Sequence, residues 1–401
     1  MVSGCSGGTD PEVSPNPAVA VVLSSGAEQV RFPGTPLLSA FVLQLVDAAG
    51  EATAVSGLPV SWVVTRGGGS VAAQDTTDDN GLWRGVLTLG DEVGVHELDV
   101  SIADLTPIGL TARAVDPGPI AFISNRRAGF TGDAVAGFPG DLYVMNDDGT
   151  DVVLLSLSNL PFEYASHPAW RPDGGEVLVN RVEPRPAGGT PGAIALGVFA
   201  TDPSGQTQRR IPAGPEPAYA VQLREPGWSP TGGAIVAHRW DTQRLYTFAP
   251  SGTDYAEVST PDGAVRSAKW STDGNRFTYV CGGNICVAER SGANAMQLTA
   301  GGADGEPAWS PDGTQILFSR DSVGGGGIWL MNDDGTDAHQ VLDGSATGPS
   351  WSPDGERFAA SVKTAEGADL WVVTWATGEA RNITSNSWID RQPSWRRTGI
   401  P

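Results

Sequence analysis

Two acid-rich hexapeptides are the first places where this sequence could do chemistry: Asn146-Asp147-Asp148-Gly149-Thr150-Asp151 and Asn332-Asp333-Asp334-Gly335-Thr336-Asp337. Clustered carboxylates and amides are hard oxygen donors of the kind calcium takes. The spacing does not fit the helix–loop–helix calcium loop. With Gly149 or Gly335 at loop position 6, position 1 falls on Val144 or Leu330, and position 12, which needs a bidentate Glu, falls on Leu155 or Val341. The corresponding places elsewhere read Asp202-Pro203-Ser204-Gly205 and Ala249-Pro250-Ser251-Gly252, so the position is a turn. The four histidines, His96, His167, His238 and His339, form no His-x-x-x-His pair and no cluster with cysteine. No Walker loop or dinucleotide fingerprint occurs, and Gly324 to Gly327 reads as a hairpin tip. The expectation is a chain without catalytic residues, cofactor or metal, and not an enzyme.

Cysteine supplies one covalent prospect. Cys281 and Cys286 flank Gly282-Gly283-Asn284-Ile285. If Gly283-Asn284 is a two-residue hairpin turn, 282 faces 285 and 281 faces 286. That second pair is non-hydrogen-bonded, with Cα atoms about 4.5 Å apart, near the short limit for a disulfide. A Cys281–Cys286 disulfide is expected, and with it an oxidising compartment.

The elements that must position these groups are strands. The chain has 401 residues with 53 Gly and 30 Pro, and no stretch has a convincing amphipathic helical period. No apolar run reaches membrane-spanning length. A formal net charge of −21 repels nucleic acid and anionic headgroups and favours a well-solvated secreted protein.

Turn chemistry then exposes a repeat. Trp309-Ser310-Pro311-Asp312-Gly313 combines a Pro that fixes φ, an Asp that caps and a Gly that accepts positive φ. Related turns follow Trp170, Trp228, Trp270 and Trp351, and Trp395 stands near the end of the chain. These tryptophans lie roughly 40 residues apart, with a longer first interval, and are read as core of four-stranded units. Such a period indicates a β-propeller. Ile120-Ala121-Phe122 and Leu142 to Gly149 look like a repeat lacking its opening strand, and Gln392 to Trp395 like an opening strand without a repeat. Joined, they make a sixth blade from both ends of the array, closed by the C-terminal strand. Closure removes sheet edges.

Ahead of the array, Ala18 to Leu23, Leu37 to Leu45, Leu58 to Thr65, Leu82 to Leu89, Gly94 to Ile102 and Ile108 to Ala114 read as strands of a β-sandwich. Alternation along Val60, Trp62 and Val64 marks Trp62 as core. Asp116-Pro117-Gly118-Pro119 is a stiff boundary.

Three resemblances add to this. Trp-Ser-Pro-Asp-Gly, intact at 309–313 and 351–355, resembles the PD40, or WD40-like, repeats of the TolB propeller family over residues 119–397. That implies a periplasmic binding protein, although an α/β domain stands in TolB where this chain has strands. Gly57-Leu58-Pro59-Val60-Ser61-Trp62 and Thr77-Asp78-Asp79-Asn80-Gly81 resemble bacterial Ig-like domains of the invasin and intimin type. Val2-Ser3-Gly4-Cys5 resembles a lipobox, which implies acylation of Cys5 and attachment to a membrane surface, although the basic and apolar signal regions do not precede it. The organisation expected is all-β: a lipobox-like start and tether over 1–16, an Ig-like sandwich over 17–116 and a six-bladed propeller over 117–401.

Strand order places both turn families on one, acidic, end of the propeller. The other end carries two long loops, about 125–140 with Arg126, Arg127, Phe130 and Phe138, and about 181–196 with Arg181 and Arg185. Long loops on a rigid scaffold commonly bind, so these six residues are the partner-binding candidates. The leading expectation is a non-enzymatic, lipid-tethered scaffold outside the cytoplasm, docking on a membrane protein complex such as a photosynthetic reaction-centre and antenna assembly. Its alternatives are a TolB-like protein recognising a peptide or glycan, and an enzyme using the propeller channel.

Overall fold

The computed structural model describes residues 17–126, 140–155, 165–183, 195–212, 222–261, 263–301, 303–321 and 326–397. Among these residues every regular element is a β-strand. Contacts divide the chain into two compact units, Met1–Asp116 and Pro117–Pro401.

In the first unit two four-stranded sheets face each other. One holds Ala20–Ser25, Phe41–Val46, Leu82–Leu89 and Gly69–Ala73 in that order. The other holds Gln29–Arg31, Ile108–Ala114, Gly94–Ile102 and Val60–Arg66, the first pair being parallel. Alternation sends Phe41, Leu43 and Leu45 from one sheet and Leu98, Val100 and Ile102 from the other into one core. Trp83 is fully buried there and donates its indole N–H to the Gln74 carbonyl at 2.8 Å. Trp62 is only half-buried, with its ring 6.1 Å from that of Trp83. Gln29–Arg31 and Gly69–Ala73 exceed the six expected strands; neither carries the apolar alternation that announces one.

The second unit consists, among the described residues, of six four-stranded sheets, numbered I to VI here. Five follow chain order. Sheet II opens with Ala165–Trp170, III with Leu223–Trp228, IV with Val265–Trp270, V with Asp304–Trp309 and VI with Ala346–Trp351. Sheet I is assembled from both ends of the unit: Asp390–Trp395 pairs antiparallel with Ile120–Ser124, followed outward by Asp141–Met145 and Val153–Leu154. Sheet I is bonded on both sides. The Trp395 N–H donates to Ser350 Oγ of sheet VI at 2.9 Å, and the Trp170 N–H of sheet II donates to Ser394 Oγ at 3.2 Å.

The carboxylates of the turns act locally. Asp312 accepts the Ser310 hydroxyl and the Thr314 N–H while Gly313 takes φ +75°, and Asp273 and Asp354 accept the matching N–H groups. In the two hexapeptides, Asp148 and Asp334 accept the N–H groups of Thr150 and Thr336 at 2.9 Å. Asp147 and Asp333 reach across to the preceding sheet, 2.9 Å from Arg357 and Arg276. Those two guanidiniums also lie over Trp395 and Trp309. Each is a clamp between sheets: its carboxylate and its ring belong to one sheet and the arginine to the one before.

Cys281 and Cys286 are joined by a disulfide, with Cα atoms 6.0 Å apart. The register differs from the one expected. Cys281 faces Asn284 and Tyr279 faces Cys286, so the cysteines are diagonal neighbours on one face rather than directly opposed. The turn is Gly282-Gly283, both at positive φ. A two-residue hairpin turn needs positive φ at both centres, which two glycines supply without steric cost.

Candidate functional site

The opening strands of all six sheets converge on one channel. Each carries a β-bulge at the third residue before its repeat tryptophan, where the register shifts. The bulged residues are His167, Glu225, Ser267, Glu306, Gly348 and Gln392, and all take φ between 50° and 63°. Five of the six precede proline. Proline has no N–H to give to the ladder, so a bulge here costs no hydrogen bond on that side.

These residues hold one another in an alternating pattern. Glu225 Oε2 accepts the Ser267 N–H at 2.6 Å and the Ser267 hydroxyl at 2.7 Å. Glu306 Oε2 accepts the Gly348 N–H at 2.7 Å, and Gln392 Oε1 the His167 N–H at 2.9 Å. Side chains of sheets I, III and V therefore satisfy the bulged N–H groups of II, IV and VI. Two of the return contacts come from second strands: Asn180 Oδ1 accepts the Glu225 N–H, and Ser361 Oγ the Gln392 N–H.

Electrostatics follow from this geometry. The backbone N–H fixes the oxygen of the Gln392 amide, so its Nε2 faces His167 Nε2 at 3.1 Å and the imidazole must accept there. Burial pushes the His167 pKa down as well, against the pull of Glu225, and the ring is neutral. For Glu225, burial works to raise the pKa, but the favourable neighbours win and the net shift is downward. The neighbours that favour its charged form are His167, the Ser267 hydroxyl, His238 and Lys269. Burial raises the pKa of Glu306, with its Gly348 hydrogen bond opposing and Glu225 adding to the rise. Burial lowers that of Lys269 against the attraction of Glu225 and Glu306.

Two cavities meet at Lys269. The narrower, about 70 Å³, is lined by the bulged residues. The wider, about 170 Å³, lies toward the turn end and is walled by Trp170, Trp228, Trp270, Trp309, Trp351 and Trp395. These are the six repeat tryptophans, each at most 8% exposed.

Two of the expected partner-binding residues, Arg126 and Arg181, lie among the described residues. Arg126 is a correction: its guanidinium lies 2.8 Å from both oxygens of the fully buried Asp390 and over the rings of Phe122 and Tyr143. It closes sheet I instead of facing solvent. Arg181 is a second correction: it is 5% exposed, bonded to Gln208, drawn to Asp141 and stacked over Phe199. Cys5, Arg127, Phe130, Phe138 and Arg185 lie outside the described residues. The channel residues His167, Glu225, Lys269 and Glu306 were not singled out from the sequence. Their signal was positional: they occupy fixed offsets from the repeat tryptophan.

No group of three or more His, Cys, Asp or Glu able to hold a metal ion occurs among the described residues, and no helix there is long and apolar enough to cross a membrane.

No family model matches the chain. Among solved structures, TolB from Acinetobacter baumannii is similar over 76% of this chain and 80% of its own, with a TM-score of 0.56 and 16% identity. A chain of the nidogen/laminin complex is similar over 69% and 97%, at 0.51 and 10%. Kuenenia stuttgartiensis hydrazine synthase is similar over 70% of this chain and 46% of its own, at 0.52 and 12%. The fold is that of a β-propeller. TolB and a synthase share it, so fold alone does not decide between binding and catalysis.

Proposed function

We propose that this chain is a non-enzymatic interaction module of the extracytoplasmic space, with a six-bladed, TolB-like propeller as its binding body and an Ig-like sandwich as spacer. One observation carries the reading. The connection between the second and third strands spans 125–140 in sheet I and 184–194 in sheet II, against Trp240–Gln243 in sheet III and Gly282-Gly283 in sheet IV. The two long connections leave adjacent sheets from stems fixed by the Arg126–Asp390 pair and by buried Arg181. Insertions on a rigid scaffold suit recognition of a protein surface. Glu225 and Glu306, the carboxylates best placed for acid–base work, are committed to joining neighbouring sheets. The Cys281–Cys286 bridge favours an oxidising compartment.

Acylation of Cys5 would add a membrane tether, checked by mass spectrometry of the N-terminal peptide from native membranes; an unmodified Cys5 removes the tether from the proposal. Nothing in the described residues favours a photosynthetic assembly over other membrane complexes. The test of the module itself is cross-linked capture from native membranes by the full chain and by a variant with 127–139 replaced by a short Gly-Ser link. Loss of the captured partner is expected. Undiminished capture refutes the loop reading.

A further inference from the structure

The wider cavity is notable for where the repeat is broken. The residue just before each repeat tryptophan is Ala169, Gly227, Lys269, Ala308, Ser350 or Ser394. Five are small and uncharged, and one is a lysine. Two residues after each tryptophan stand Pro172, Pro230, Thr272, Pro311, Pro353 and Arg397. Again one position alone is charged, and again the charge is positive. Lys269 and Arg397 both line the wider cavity, and among the described residues they are its only charged lining residues. In a chain of net charge −21, two cations facing one cavity run against the overall field.

Neither cation has a counter-ion within ion-pair distance among the described residues, and burial acts against the charge of both. Lys269 is half-buried and lines both cavities. Ser350 and Ser394 line the same cavity. Each hydroxyl oxygen accepts a backbone N–H from the next sheet, which leaves its own O–H to donate. The cavity thus presents two cations and two hydroxyl donors on a largely polar lining, to which the six tryptophans and Pro168, Pro349 and Pro393 add apolar surface.

We propose that this cavity binds an organic monocarboxylate, its carboxylate held by Lys269 and Arg397 and its apolar body against the tryptophan wall. The charge balance selects the class. Lys269 also faces Glu225 and Glu306 across the junction with the narrower cavity, which offsets part of its charge. The partial offset favours a singly charged carboxylate over a phosphate dianion. Desolvated cations with unused donors are costly to maintain, and an anion relieves that cost. The site lies at the turn end, away from the long connections, so it stands or falls separately from the partner-capture reading.

The test is calorimetric titration of the full chain with benzoate, with benzamide as its neutral isostere and with inorganic phosphate. Saturable one-to-one binding of benzoate is expected, at least tenfold tighter than either control. Lys269→Ala and Arg397→Pro install residues that other repeats carry at these positions; each is expected to weaken benzoate tenfold or more. Lys269→Met and Arg397→Gln, which keep side-chain bulk, are expected to do the same, with melting temperatures confirming folding. An acetylated tetrapeptide ending in a free phenylalanine carboxylate, compared with its amide, separates sources. Tighter binding than benzoate identifies a peptide C-terminus as the natural form, and exclusion identifies a small free acid. Absence of saturable benzoate binding, equal affinity for benzamide, tighter binding of phosphate, or indifference to all four substitutions overturns the proposal.

Discussion

Replacing Asp390 by Asn tests whether sheet I locks the second unit shut. Asp390 is fully buried, accepts Arg126 on both oxygens at 2.8 Å and accepts the Asn386 amide at 3.1 Å. Asn preserves shape and removes the charge, leaving the Arg126 guanidinium against Phe122, Tyr143 and the Ser124 hydroxyl. Breaking one side of a buried pair costs about 3–5 kcal/mol. The Arg126 side chain keeps 18% exposure, so water recovers part of the loss, and about 3 kcal/mol is expected. At an unfolding entropy of about 2 cal/mol/K per residue, a unit of this length loses about 5 °C in Tm. Asp304→Asn is the control. Asp304 and Arg320 form a similar pair, 2.6 Å apart, inside sheet V. Calorimetry should show comparable losses for the two variants. Hydrogen exchange should separate them: Asp390→Asn opens Ile120–Ser124 and Asp390–Trp395 together, whereas Asp304→Asn leaves them protected. The double variant Asp390→Asn/Arg126→Met should recover part of the loss by removing the stranded charge. A Tm change under about 1 °C, or opening at the seam in both variants, refutes the argument.

The channel carboxylate Glu306 gives a prediction with a definite sign. Burial raises its pKa above the ordinary 4.5, so its contribution to stability is full below that value and is lost as pH rises through the folded-state value. Glu306→Gln keeps an acceptor for the Gly348 N–H, as Gln392 does for His167, and should raise Tm at pH 7–8 but not at pH 4. A loss at pH 7 would mean that the ionised form is what the channel holds. Asp312 has the opposite sign: hydrogen bonds from Ser310 and Thr314 outweigh burial and lower its pKa, so Asp312→Asn should lower Tm at neutral pH, with the difference fading as pH falls below 3.8. Arg276→Met should cost about 1 kcal/mol, because its ion pair to Asp333 is about one-third exposed and its ring contact with Trp309 is partly replaced by methionine. Urea titration reads that loss, and none at all would remove the clamp between sheets IV and V. Cys281→Ser/Cys286→Ser should cost about 2 kcal/mol for so short a loop, measured the same way.

Architecture was legible because turns and tryptophans recur with the same chemistry. Pro, Asp and Gly have intrinsic conformational preferences, so Ser310 to Gly313 announces its turn without any tertiary context. The Gly282-Gly283 turn shows where local reasoning fails: two acceptable turns overlapped by one residue, and the choice shifted Cys281 from facing Cys286 to facing Asn284. Arg126 and Arg181 show another limit. An arginine at a loop boundary has the same sequence appearance whether it faces solvent or a buried carboxylate 264 positions away, as Arg126 does.

The channel was illegible for the converse reason. Its bulged position is filled by His, Glu, Ser, Glu, Gly and Gln, a set with no shared chemistry, and each member looks unremarkable in its own strand. Only the convergence of six opening strands brings these residues together. In a repeat protein, positions that agree between copies satisfy demands every copy shares, which are turns, strand pairing and packing. A specific ligand makes demands on one place only, so its residues must be found among the disagreements. Lys269 and Arg397 are disagreements of this kind: uncharged residues suffice for the fold at five of six copies, and the sixth carries a charge that burial penalises. Packing supplies no reason for that cost at either position, since Ala, Gly, Ser, Thr and Pro serve the other copies. At Lys269 the attraction of Glu225 and Glu306 offsets part of that cost, whereas Arg397 has no such carboxylate among the described residues, and the proposed anion would complete the balance at both.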